Sequence, residues 1–171
     1  RTLADAHRFD LAMGARVDDE ATGVFNPRYL GLRLVEEAAR VRRYGGECTY
    51  LIVRIQDIET LSDLDRRTLL RALGEMLRRQ LRNLDLIGLH RTAGTFGAIL
   101  PETSPSQCVV VTARINESFR RALGGYGSRF AHLRLRMGVA GTSKSAPLSD
   151  QQLMEVAERF ELGQVHPAQG G

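Results

Sequence analysis

Few residue types in this chain are suited to chemistry, and arginine dominates them. Of the 24 Lys and Arg side chains, 23 are Arg and one is Lys144. Clusters lie at Arg40, Arg42 and Arg43, at Arg78, Arg79 and Arg82, and at Arg120 and Arg121. Such clusters could face phosphate or nucleic acid. Acidic residues are interleaved with them, and only Tyr44 and Phe119 stand close by as aromatics, so no base-stacking platform emerges. The expectation is a solvated surface and no nucleic-acid partner. The four histidines, His7, His90, His132 and His166, show no metal-ligand spacing, and His90 reads as a turn residue. No Ser-His-Asp or Cys-His arrangement is legible. Cys48 and Cys108 are too few for a disulfide scaffold and lack metal-site spacing, so free thiols in a reducing, cytoplasmic setting are expected.

These side chains must be positioned by one domain. The chain has 171 residues, 43% hydrophobic and 26% charged, the balance of a globular protein. No apolar run approaches the roughly 20 residues that span a bilayer. Arg1 to Ala6 has no signal-peptide core and no initiator Met, so a piece of a longer protein is expected, with an upstream sensor domain.

Residues 1–17 read as an amphipathic linker helix. Asn26-Pro27 opens a second helix, with Tyr29, Leu30, Leu34, Ala38 and Val41 on its apolar face and Gly45-Gly46 at its end. Cys48 to Ile55 is a β-branched apolar run, hence a buried strand. A helix follows over about 65–82, with Leu69, Leu70, Leu73, Met76, Leu77 and Leu81 as its apolar face. Strands are expected over 84–89 and 95–100, joined by a turn over 90–94. Ser104-Pro105 opens a helix that Gly124-Gly125 closes. Ala131 to Gly141 alternates as a strand with one wet face, and Ser149-Asp150 caps a last helix to about Leu162. Gln164 to Gly171 reads as a tail. The order from Cys48 is β-α-β-β-α-β and then a helix, the split βαβ or ferredoxin-like arrangement. The fold class is α+β: a mostly antiparallel sheet, expected with helices on one face.

Three passages in this order resemble the GGDEF family of diguanylate cyclases. Asp19-Glu20-Ala21-Thr22-Gly23-Val24-Phe25-Asn26-Pro27-Arg28 is similar to the family's opening D-x-L-T-G-L-x-N-R-R. Arg82-Asn83-Leu84-Asp85 matches its R-x-x-D, and Phe96 to Thr103 matches its F-x-x-x-L-P-x-T strand. The resemblance covers residues 18–163. It implies a GGDEF-type fold, and in working members the joining of two GTP molecules into cyclic di-GMP with two divalent cations held by carboxylates.

Residue by residue, the resemblance fails at the chemistry. The strand carboxylate falls on Arg54. The hairpin acids fall on Ala93, Gly94 and Thr95. The guanine-binding Asn and Asp fall on Ser62 and Arg67, and a phosphate-facing Lys becomes Glu59. The C-terminal helix keeps only Ala157-Glu158 of its pattern. Asp57 is the nearest surviving carboxylate. Asp19 and Arg28 are expected to fix the start of the domain. The expectation is therefore a catalytically inactive GGDEF-like regulatory or interaction module, without a cofactor, in a bacterial signalling protein. Arg82 and Asp85 are its candidate cyclic di-GMP site, with Arg78 and Arg79 as possible additional phosphate contacts. A homodimer or protein partner is open. The alternatives are an active cyclase with rearranged ligands such as Asp57, using Mg²⁺, and nucleic-acid binding through the Arg clusters.

Overall fold

The computed structural model describes residues 17–163, with side chains through Arg159. The linker helix and tail expected at 1–17 and 164–171 lie essentially outside these residues. Helix α1 spans Pro27–Tyr44, and the Asn26 side chain caps it by accepting from Tyr29 N–H at 2.8 Å. Strand β1 is Glu47–Ile55. A 3₁₀ turn, Ile58–Thr60, leads to α2, Asp63–Gln80. Strands β2 and β3 are Leu86–Leu89 and Thr95–Pro101. Helix α3, Pro105–Gly124, opens with a reciprocal Ser104–Gln107 capping box. Strand β4 is Leu135–Ser143, and α4 is Asp150–Gly163.

The strands form one antiparallel sheet in the order β2-β3-β1-β4, with β1 paired on both sides. Successive β1 side chains alternate between its faces. Leu51, Val53 and Ile55 pack with Leu69, Leu73 and Leu77 of α2 and with Ile115 and Phe119 of α3. Cys48, Tyr50 and Ile52 pack with Leu30, Leu34 and Ala38 of α1 and with Leu153 and Ala157 of α4. Helices thus cover both faces, where the sequence reading expected one. The cause is visible in β1 itself: an unbroken apolar run has no wet face to offer. Cys48 and Cys108 are buried free thiols, and burial pushes both up to about 12, so they are inert at neutral pH.

The strand expected from Ala131 begins only at Leu135, opposite Ile55. Before it, Leu133 donates to the Phe130 carbonyl in a turn and buries its side chain in the core. The wet face ends early too, because Val139 and Ala140 sink into opposite cores. Helix α2 starts at Asp63 because the Ser62 hydroxyl accepts from Asp65 N–H. The start of the domain is fixed by Asp19, whose carboxylate accepts from the Thr22 amide at 2.9 Å and hydroxyl at 2.7 Å. Among the described residues no helix is long and apolar enough to cross a membrane.

Candidate functional site

The end of β1 and the β2–β3 hairpin meet where the sheet register dictates. Arg54 lies opposite Thr95 on one side and opposite Arg136 on the other. Two of the positions at which the family resemblance expects acids are therefore direct cross-strand neighbours. Arg54 donates from Nη2 to Glu59 Oε1 at 2.9 Å. The acid and the lysine expected at these two positions have exchanged charge, and the pair closes on itself. Thr95 is buried, and its amide donates to the Thr92 carbonyl at 3.3 Å, which closes the turn containing Ala93 and Gly94. Gly94 adopts φ +71°, a left-handed conformation that suits glycine.

Ser62 is committed to capping α2, and Arg67 is exposed one turn into that helix. Asp57 is exposed at φ +60°, and its carbonyl accepts from the Thr60 amide and hydroxyl. The carboxylates at this strand end are thus one solvated group and one already held by a guanidinium. Two arginines, Arg54 and Arg136, share the site with them. A divalent cation needs several oxygen ligands, and a guanidinium standing where a ligand should be repels it. These residues do not fit one, and among the described residues no group of three or more His, Cys, Asp or Glu is placed to hold a metal.

Arg82 and Asp85 do come together at the α2–β2 connection. Asp85 accepts from the Arg82 backbone N–H at 2.8 Å, from Nε at 3.3 Å and from Nη2 at 3.0 Å. Nη2 also reaches the Pro101 carbonyl at 2.9 Å and the Thr103 hydroxyl at 2.8 Å. The Asp85 side chain is 3% exposed and that of Arg82 is 49%. Asp85 is therefore an internal anchor, and Arg82 is the member that faces solvent. Arg78, one turn earlier, reaches the Gly23 carbonyl at 3.2 Å instead.

His90 is not the turn residue expected. Its ring is fully buried, with Nδ1 2.7 Å from the Tyr50 hydroxyl and Nε2 2.6 Å from Glu158 Oε1. Glu158 also accepts from Arg91 Nε at 2.7 Å and Nη2 at 2.9 Å, and Arg91 Nη1 donates to Gln151 at 3.0 Å. A carboxylate only accepts, so Nε2 carries the hydrogen and Nδ1 accepts from Tyr50. Burial lowers the His90 pKa against the opposing pull of Glu158. Hydrogen bonding from Arg91 lowers that of Glu158. Gly97 is part of the construction, because a Cβ there would stand 2.3 Å from the Tyr50 hydroxyl. The network bolts α4 to the hairpin. Sequence spacing gave no sign of it, since Tyr50, His90 and Glu158 are 40 and 68 residues apart.

No protein-family model and no curated protein matches the sequence. Solved structures do match. The coiled coil and GGDEF domain of DgcB from Caulobacter crescentus, in complex with c-di-GMP, superposes with a TM-score of 0.75 at 15% identity, over 94% of this chain and 87% of that one. The FimX GGDEF domain from Pseudomonas aeruginosa gives 0.74 at 18% identity, over 92% and 97%. The diguanylate cyclase SiaD from Pseudomonas aeruginosa, in complex with its activator SiaC, gives 0.72 at 22% identity, over 94% and 62%. The architecture is that of a GGDEF-type domain.

Proposed function

We propose that this domain is a catalytically inactive GGDEF-type module of a bacterial signalling protein, acting in regulation or interaction and not in cyclic di-GMP synthesis. The observation that carries the reading is the Arg54–Glu59 ion pair lying opposite Thr95. Cyclase chemistry needs two cations on carboxylates at this place. Here a guanidinium repels the cation, a glutamate repels the triphosphate, and each satisfies the other. The experiment is incubation with GTP and Mg²⁺ or Mn²⁺, with the products separated by chromatography. No cyclic di-GMP is expected. Turnover that disappears in Asp57→Ala would establish the rearranged cyclase instead.

The specific form of the proposal is a cyclic di-GMP receptor in which Arg82 faces the ligand and Asp85 orients it. Its support is the half-exposed guanidinium, held rigid by Asp85 and Thr103. A calorimetric titration with cyclic di-GMP tests it. Micromolar binding is expected, lost in Arg82→Ala and weakened in Arg82→Lys, which keeps the charge without the fork. Circular dichroism on each variant separates loss of binding from loss of fold. No binding by the wild-type domain rejects the receptor and leaves the inactive module standing.

A further inference from the structure

Helix α1 carries a second apolar stripe that the core does not use. Leu32, Val35 and Ala39 recur at i, i+3 and i+7, on a different face from the buried Leu30, Leu34, Ala38 and Val41. Val35 is 47% exposed. Beside this stripe the α2–β2 connection offers Leu84, 52% exposed, and the last turn of α1 offers Tyr44, 72% exposed. These residues, with Leu86 and Pro101, line one open groove of about 950 Å³. Apolar groups exposed together along a groove mark an interaction site more often than singly scattered ones do.

The charges around the groove say what kind of partner fits. Four arginines line it, Arg28, Arg33, Arg40 and Arg43, against Glu36 and Glu37, which leaves two formal positive charges. Arg40 is neutralised by Glu37 and Glu102. Arg33 and Arg43 are not so matched. Arg33 donates to the Tyr29 hydroxyl at 3.2 Å, and Arg43 lies 5.3 Å over the Tyr44 ring. Both partners are neutral, so both positive charges remain available to a partner.

We propose that the groove between α1 and the ends of β2 and β3 is a docking site for an acidic amphipathic helix from outside this domain. Helix-in-groove recognition needs apolar anchors at i, i+3 or i+4, and i+7, with charge complementarity at the rim. The 18-residue α1 is about 27 Å long at 1.5 Å per residue, enough to seat four to five turns of a partner. A second copy of this face would bring the same formal charge of two against it. The chain's own first 16 residues carry Arg1, Arg8 and Arg16 against Asp5 and Asp10, and its last eight carry no Asp or Glu, so neither supplies the acidic face. A flat bilayer does not enter a concave groove.

The test is selection from a displayed library of random 16-residue peptides on the domain, followed by fluorescence anisotropy on the enriched sequences. The expected winners are acidic, with apolar residues at helical spacing. Their affinity should fall at least tenfold in Val35→Asp and in the double variant Arg33→Glu, Arg43→Glu, and it should weaken as salt is raised. Val35 and Arg43 are exposed, so Val35→Asp should leave the melting temperature unchanged; Arg33 is half-buried and donates to the Tyr29 hydroxyl, so circular dichroism on the double variant separates loss of binding from loss of fold. The proposal is overturned by no enrichment, by enrichment of neutral or basic peptides, or by affinities indifferent to both variants. Self-association abolished by Val35→Asp would assign the face to a second copy. Val35-dependent binding to phosphatidylglycerol vesicles would assign it to a membrane. Either result would also overturn it.

Discussion

Replacing Glu158 by Ala removes the acceptor that joins the hairpin to α4. Two contributions are lost. The Arg91–Glu158 pair is bidentate, but Arg91 is 41% exposed, so the ion pair contributes only about 0.2–1 kcal/mol. The His90 ring has no exposure, and stripping Nε2 of its partner leaves a buried donor unsatisfied, which costs about 1–3 kcal/mol. Together the variant should lose about 1–4 kcal/mol. For a domain of this size that lowers the melting temperature by roughly 2–4 °C per kcal/mol. The assay is urea denaturation followed by circular dichroism, with three comparison variants. Glu158→Gln retains an acceptor for His90 and should lose less than the alanine variant. Arg91→Ala should lose no more than the surface-pair share. Gln151→Ala should lose less again, because it severs a neutral bond at the periphery of the network. If Glu158→Ala costs no more than Arg91→Ala, the buried histidine is not what the glutamate satisfies, and the reasoning fails.

The same network predicts a pH dependence. The His90 pKa is depressed by burial, so between it and about 6.5 the unfolded chain binds the extra proton. The Glu158 pKa is depressed by Arg91, so the same sign applies below about 4.5. Stability should hold above pH 6.5 and fall on acidification, first through the histidine and then through the glutamate. His90→Asn should flatten the upper part of that fall in a denaturation series across pH. Gly97→Ala should destabilise by about 1–3 kcal/mol or displace Tyr50, since its Cβ lands on the hydroxyl, and a proton NMR spectrum would register the rearrangement. Arg82→Ala should cost about 1–3 kcal/mol by depriving the buried Asp85 carboxylate of its guanidinium, and Asp85→Asn should cost less, both read by chemical denaturation.

Much of the fold is written locally. Asn26-Pro27 and Ser104 each cap the helix they precede, and the hairpin ends on Thr95, all short-range signals, whereas the Ser62 cap moves the start of α2 to Asp63 from the expected 65. The α+β order and antiparallel pairing follow from those elements. The resemblance places Arg54 at the end of the first strand and Thr95 in the hairpin, each at the position of an expected acid; that they are direct cross-strand partners comes from the sheet register. What escaped the sequence depends on three-dimensional closure. The one-sided sheet was a misreading of β1, whose continuous apolar run already required cover on both faces. His90 looked like a turn residue because its partners, Tyr50 and Glu158, come from β1 and α4, and no periodicity links them. The second stripe on α1 escaped because its own core stripe is complete without Leu32, Val35 and Ala39. The spacing of Arg82 and Asp85 makes them a pair, and burial divides that pair into an anchor and an exposed fork.

The central claim is that the end of β1 no longer holds a cation on a nucleotide. The most direct measurement is calorimetric titration of the domain with a non-hydrolysable GTP analogue, with and without Mn²⁺. No Mn²⁺-dependent binding is expected, in the wild-type domain and in Asp57→Ala alike. Micromolar binding that requires Mn²⁺ and is lost in Asp57→Ala would contradict it, and the Arg54–Glu59 pair would then have to open to admit the metal.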